Sequence, residues 1–308
     1  AGTENIRTNT NATFLQNINV GVAITAGKLG IGFTDTNVKV GNTALDSQTT
    51  GTDNTAVGDK ALTANTTGYR NTAIGFEALT ANTTGEEGTA VGRYALKTNT
   101  TGNQNTAVGR NALKDNTTGG YNTAVGVNAL ENNTTSSNNT AVGYFALDAN
   151  TTGDENVAVG HEALKSNTTG QENTALGQSA LVTNTTGSYN VAVGQDALFT
   201  NNADNNTAIG VNALYYNSTG EKNVAVGAIA LDANTTGDNN TALGYKALTA
   251  NTTADNNTAL GYGAMEANTT GTSNTAVGLF ALSYNTTGSQ NTAVGAETLD
   301  AGNNTNCN

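Results

Sequence analysis

The chain has 308 residues, with 37 Gly, no Pro, no Trp, one Met, one Cys, 5% aromatics and a formal net charge of −12 at pH 7. Ordinary globular domains carry about 5% Pro, so this composition argues against a pair of such domains and for one repetitive, extended fold. The acidic balance argues against nucleic acid as a partner, because that binding needs a basic face. No apolar run approaches the ~18 residues of a membrane span.

Residue 1 is Ala and no signal peptide precedes it, so a processed, secreted chain at a cell or virion surface is expected. Residues 1–36 read as a capping or assembly segment, whose stretch NATFLQNINVGVAITAGKLGIGF (Asn11 to Phe33) is the most apolar of the chain. Open solenoid ends expose strand edges and need covers. This segment is expected to cap its own array or to complete the end of the next molecule by strand donation.

Residues 37–308 form a tandem array. Blocks start at Asn37 and recur every seventeen residues to Asn291, except that the Asn190 block is one residue short. The consensus is NTAVGxxALxxNTTGxx, and its positions are called slots 1 to 17. Self-similarity at a fixed period is the signature of a repeat architecture. Two helices do not fit in seventeen residues that hold several Gly and Asn breakers, but short strands do. Slots 2–4 (Thr55 to Val57) read as one strand, slots 7–10 (Lys60 to Thr63) as a second, and NTTG (Asn65 to Gly68) as a turn. One block is then one coil of a parallel β-solenoid, and sixteen coils rise ~77 Å at ~4.8 Å each.

Slot 2 alternates only between Thr and Val, slot 4 among Val, Ile and Leu, and slot 9 between Leu and Met265. Restriction to apolar or β-branched types predicts that these three slots point into the coil. Asn at slots 1 and 12 is predicted to stack on its copies as amide ladders. From Asn54 on, charge is confined to slots 6, 7, 10, 11, 16 and 17 and to Asp204 in the shortened turn.

If slots 2 and 4 face inward, slot 3 faces outward. Slot 3 is Ala in all fifteen blocks from Ala56 to Ala293, and slot 8 is Ala in all of these but the last. A column of small apolar side chains on an outer face implies close packing against another chain. The predicted interface is therefore Ala56, Ala61, Ala73, Ala78, Ala90, Ala107, Ala124, Ala141, Ala158 and Ala175. On this reading Ala141→Arg breaks assembly and leaves the β structure intact.

No catalytic constellation is present and no cofactor is implied. His161, the only histidine, falls in variable slot 6 and reads as a surface residue. No Cys/His cluster suits zinc, and the glycines follow the repeat rather than a phosphate cradle. Acidic pairs such as Glu86–Glu87 and Asp154–Glu155 do not recur at one slot, as a regular calcium array would require. The NTT turns are also N-glycosylation acceptors, at Asn65, Asn82, Asn99, Asn116, Asn150, Asn167, Asn184 and Asn234, although turn and ladder chemistry explains every copy. Aromatics gather at slots 6 and 7 (Phe76, Tyr94, Tyr144, Phe145, Tyr245, Tyr262, Phe280). Such rings cover a coil edge or a seam between chains, or stack on surface glycans. Cys307, being single, forms no internal disulfide.

NTAVGxxAL resembles the NSVAIGxxAxA repeat in the heads of YadA-type trimeric autotransporter adhesins, which are left-handed parallel β-rolls of three chains. Thr55 and Val57 match that repeat's inward positions and Gly58 its turn glycine. The seventeen-residue form also resembles phage and large-virus tail-fibre repeats, which follow a GxxGIG segment like GKLGIG (Gly27 to Gly32). The resemblance covers about residues 27 to 302 and implies a left-handed, homotrimeric, extracellular rod. Three functions are therefore expected in order: a non-catalytic fibre or adhesin shaft, an end-to-end homopolymer filament joined through the N-terminal segment, and a monomeric ice-binding solenoid. Against the last, slot 2 Thr is taken as inward and the remaining Thr as turn residues.

Overall fold

The chain divides into two units, Ala1–Gly32 and Phe33–Asn308. The computed structural model describes residues 36–300, all in the second unit; the Asn11–Phe33 segment and Cys307 lie outside the described residues. Sixteen three-residue strands follow one another: β1 Val38–Val40, β2 Thr55–Val57, β3 Thr72–Ile74, β4 Thr89–Val91, β5 Thr106–Val108, β6 Thr123–Val125, β7 Thr140–Val142 and β8 Val157–Val159. The rest are β9 Thr174–Leu176, β10 Val191–Val193, β11 Thr207–Ile209, β12 Val224–Val226, β13 Thr241–Leu243, β14 Thr258–Leu260, β15 Thr275–Val277 and β16 Thr292–Val294. They pair in sequence order as one parallel sheet. The register is constant, slot 2 on slot 2 and slot 4 on slot 4, as in Thr55↔Thr72 and Val57↔Ile74. Each block is one coil of a β-solenoid, and fifteen steps of ~4.8 Å make this array ~72 Å long.

Each coil holds one strand, not two. Slots 7–10, expected as a second strand, run as consecutive turns. The reason lies in the backbone: slots 7 and 9 adopt left-handed φ, for example Lys60 at 59° and Leu62 at 51°. Extended geometry is closed to a residue with such a φ. The turn wall still bonds along the axis. The slot 7 N–H donates to the slot 6 carbonyl of the preceding coil (Lys60 to Asn42, 3.0 Å), and the slot 9 N–H to the slot 8 carbonyl of the following one (Leu62 to Ala78, 3.0 Å). The same φ explains a restriction on slot 9. It is buried from Leu45 to Leu282, yet it is only ever Leu or Met, never Val or Ile, because β-branched side chains are strongly disfavoured there.

Inside the coil two asparagine columns carry the polar load. Asn82 Nδ2 donates to Asn65 Oδ1 (2.8 Å) and to the Gly85 carbonyl (3.0 Å) in the slot 12 ladder. In the slot 1 column, Asn71 N–H donates to Asn54 Oδ1 (2.9 Å) and Asn71 Nδ2 to the Gly85 carbonyl (2.8 Å). The slot 12 column is the amide ladder expected from sequence, whereas the slot 1 column is linked chiefly by a backbone N–H to the amide oxygen. A third runs at slot 13, where Thr66 Oγ1 donates to the Thr83 carbonyl (3.0 Å). Buried polar groups are tolerated only when bonded in this way.

The shortened block shows how strictly the axial bonding is kept. One turn residue is missing after Asn201, and with it a slot 13 carbonyl. Asn202 Oδ1 takes that place, accepting from both the N–H and the Oγ1 of Thr185 at 2.7 Å. The coil therefore closes with sixteen residues, and Asn206 resumes the slot 1 ladder on Asn190 (2.9 Å).

Candidate assembly face

The strand alternates in and out as expected, but with the opposite phase. Ala56, Ala61, Ala73, Ala78, Ala90, Ala107, Ala124, Ala141, Ala158 and Ala175 are all at 0% exposure and belong to one continuous core with the slot 9 leucines. They cannot form a surface between chains, and Ala141→Arg would break the coil itself. The physical reason is the narrowness of a seventeen-residue coil. Each coil already encloses one Leu and two Asn side chains, so the strand can turn only an alanine inward. A one-residue change of phase moves every strand side chain to the other face, and here it sends the bulky residues out.

The outward face is thus made of slots 2 and 4: Thr or Val beside Val, Ile or Leu, fifteen times from β2 to β16. Ile74, Leu176, Ile209, Leu243 and Leu260 are 40–47% exposed, and Val108, Val125 and Val142 are 36–37% exposed. No charged residue occurs at either slot in those fifteen strands. The axial register aligns these side chains in two columns, one step per coil. An exposed apolar column of this length makes the strand face the candidate interaction surface of the array.

Charge and aromatic rings lie on other edges. Glu77 pairs with Lys60 (3.3 Å) and Lys97 (2.9 Å), and Lys114 with Glu131 (3.0 Å); exposed pairs of this kind contribute little. The Lys97 and Lys60 ammonium groups together hold the Glu77 carboxyl below its ordinary value, Lys97 more strongly. Phe76 meets Tyr94 edge-on at 5.6 Å, Tyr144 stacks on His161 at 5.5 Å, and Tyr262 contacts Tyr245 and Phe280 at 5.2 Å each. The rings cover steps between adjacent coils, and exposed His161 is one of them. Sequence reasoning missed a further stack, Phe199 on Tyr215 at 4.8 Å, because these fall at slot 10. Slot 10 of one coil lies against slot 7 of the preceding one, as the Thr80 hydroxyl to Lys60 carbonyl bond shows (3.0 Å).

The slot 16 residues also have a role that repeat spacing alone did not reveal. Their short side chains accept from the slot 16 N–H of the preceding coil: Asp154 from Ser137 (2.7 Å), Asp238 from Glu221 (2.7 Å) and Asp255 from Asp238 (2.8 Å). Asp154, weighed above as half of an acidic pair, is thereby a turn cap. Among the described residues no group of three His, Cys, Asp or Glu is placed to hold a metal ion.

The eight asparagines read as glycan acceptors are ladder residues at 0–1% exposure. Asn65, Asn82, Asn99, Asn116, Asn150, Asn167, Asn184 and Asn234 each donate through Nδ2 to a slot 15 carbonyl within their own turn. That nitrogen is the atom a glycan would occupy. The folded coil leaves no room for one, so these sites are structural.

Two slot 10 carboxylates, Asp148 and Asp232, sit at odds with their surroundings: each has a buried Oδ1 without a hydrogen-bond partner, and burial raises each carboxyl. For Asp148, burial with a smaller push from Glu131 raises the carboxyl to about 6; Lys165 and Lys114 oppose this. Its folded value lies above the ordinary 3.8, so its ionisation weakens the fold as pH rises from about 4 through about 6. Asp148→Asn is expected to raise stability at pH 7 by about 1–2 kcal/mol after screening. The gain should vanish near pH 4, as read from urea midpoints at the two pH values.

No known protein family, curated protein or solved structure matches the chain.

Proposed function

We propose that the chain is a non-catalytic structural rod, a fibre or adhesin shaft outside the cell, whose copies pack side by side through the strand face. The observation that supports this reading is the uncharged Thr/Val face, which runs the length of the array. A net charge of −12 keeps copies apart wherever charge is displayed, and on this face none is. The axial ladders supply stiffness, since every wall of the coil is bonded to its neighbours. The face offers about 72 Å by about 10 Å, near the ~800 Å² per partner of a standard interface.

Light scattering tests the reading. A homotrimer, the state implied by the adhesin-head resemblance, has a mass of about 93 kDa, three times 31.1 kDa. Val142→Arg is expected to return the protein to a single chain with an unchanged β signal in circular dichroism, because Val142 is outward. Assembly that survives this substitution rules the strand face out. A very large, heterogeneous mass favours the end-to-end filament instead.

Ice binding gains a specific observation. Slot 2 Thr faces outward at twelve of the fifteen strands β2 to β16, in register along one parallel sheet. The sequence argument against it, that these hydroxyls are buried, no longer applies. A monomeric mass together with thermal hysteresis would favour this reading over the rod.

A further inference from the structure

The strand face is not uniform. Strands β2 to β7 read Thr-Ala-Val, apart from Thr-Ala-Ile at β3. Strands β8 to β14 read VAV, TAL, VAV, TAI, VAV, TAL and TAL. Over β8 to β13 the two patterns alternate strictly. Larger Leu or Ile at slot 4 occurs only on a strand whose slot 2 is Thr, and Val at slot 2 only where slot 4 is Val. The relief at slot 4 is physical: Leu176, Ile209 and Leu243 stand 40–47% exposed, while Val159, Val193 and Val226 on the alternate strands are half-buried. At slot 4, raised and low positions thus alternate with a period of about 9.6 Å, while at slot 2 Val157 and Val224 on the intervening coils are 37% exposed.

A uniform repeat face has a weakness as an interface. Sliding one copy by a coil, ~4.8 Å, restores nearly every contact, so register is poorly specified. We propose that strands β8 to β14 set the axial register in which copies of this chain pack, an inference that rests on the side-by-side reading above. In any cyclic assembly about an axis parallel to the rods, slot 4 of one copy meets slot 2 of its neighbour at the same height. In register, Leu176 then lies against the partner's Thr174, and Val193 against the partner's Val191. The largest side chains meet the smaller, hydroxyl-bearing ones, and valine meets valine. A one-coil slip sets Leu176 against valine and Val193 against threonine, so one level is crowded and the next is loose. Close packing penalises both. The occupant is a second copy because the face is self-complementary in this way and carries no charge that would select another partner.

The test uses full-length chain with Cys307→Ser and Thr118→Cys, the latter an exposed turn position for a spin label. Interchain distances are measured by double electron–electron resonance, and mass by light scattering. The native face is expected to give one narrow distance. A flattened variant (Val157→Thr, Val191→Thr, Val224→Thr, Leu176→Val, Ile209→Val, Leu243→Val, Leu260→Val) is expected to keep its mass and broaden that distance by two or more coil steps, about 10 Å. The four slot 4 changes alone, which leave every apolar position apolar, should broaden it in the same way and serve if the sevenfold variant does not assemble. Retention of a narrow distance in the variants that assemble overturns the proposal while leaving side-by-side packing standing. So does a broad distance in the native protein at oligomeric mass. A monomeric native protein overturns both readings.

Discussion

Gly143→Ala is expected to destabilise the array by about 4 kcal/mol, whereas Gly153→Ala in the same coil should cost under about 1.5 kcal/mol. The two glycines are equally crowded: a Cβ on Gly143 would meet the Gly160 carbonyl, and one on Gly153 the Gly170 carbonyl. They differ in backbone. Gly143, at slot 5, has φ of 144°, and all sixteen slot 5 glycines lie between 124° and 144°. That region belongs essentially to glycine. Slot 15 has no such constraint, and the chain already carries Ser136, Ala203 and Ala254 there. Slot 5 is never substituted. Strain at slot 5 adds to the clash because the strand turns its corner there. Solenoid stability is a sum over coils and their interfaces, so the loss should be local. Hydrogen exchange should show faster opening of the coils around β7 and β8, with a lower urea midpoint for the whole. Equal effects from both substitutions would mean that crowding, not φ, keeps slot 5 glycine.

Most of the architecture could be read from the repeat because a solenoid repeats its constraints. Sixteen copies act as an internal comparison: the fixed Gly58 column implied a special backbone, the Asn54 and Asn65 columns implied ladders, and the charged slots implied solvent. What could not be read was the phase of a three-residue strand. Thr-Ala-Val has its bulky residues on one face and Ala on the other. Hydrophobicity alone assigns Val57 to the core, but the coil's cross-section gives that place to Ala56. The clue was the slot 9 leucine. A coil that already encloses Leu62, Asn54 and Asn65 has little volume left. Slots 7–10 were misread for a different reason. Lys60 and Leu62 are ordinary residues with no sign of left-handed φ in their identity, and only the absence of Val and Ile at slot 9 points to it. The candidate face follows the phase: with Ala56 and Ala141 buried, the column that can meet another chain is that of Val57 and Val142.

The same ladders that stiffen the rod make it sensitive to one oxygen. Asn167 Nδ2 donates to Asn150 Oδ1 and to the Gly170 carbonyl, both at 2.9 Å, and its Oδ1 accepts from Asn184 Nδ2 at 3.0 Å. Asn167→Ala removes these bonds and leaves buried partners unsatisfied, at about 1–3 kcal/mol each; the Gly170 carbonyl keeps a second donor in Asn156 Nδ2 (2.9 Å). A loss of about 3 kcal/mol is expected. Asn167→Asp is nearly the same shape and should be worse at pH 7, by a further 1 kcal/mol or about that. It replaces the donor with an oxygen aimed at two acceptors and puts a charge where exposure is 0%. Both effects disfavour the ionised form, so the folded-state value of the new carboxyl lies above its unfolded value of about 3.9. With the folded value raised, stability is recovered as pH falls toward 4 and lost as it rises. On protonation the acid regains a donor and restores one of the two bonds. Urea midpoints of Asn167→Asp against the parent, taken from pH 7 to pH 4, should therefore converge on acidification, while those of Asn167→Ala stay parallel to it. Measuring the difference from the parent at each pH cancels the contribution of Asp148, which has the same sign. A gap for Asn167→Asp that widened in acid would show that the slot 12 amides do not run as a donor-to-acceptor ladder along the axis.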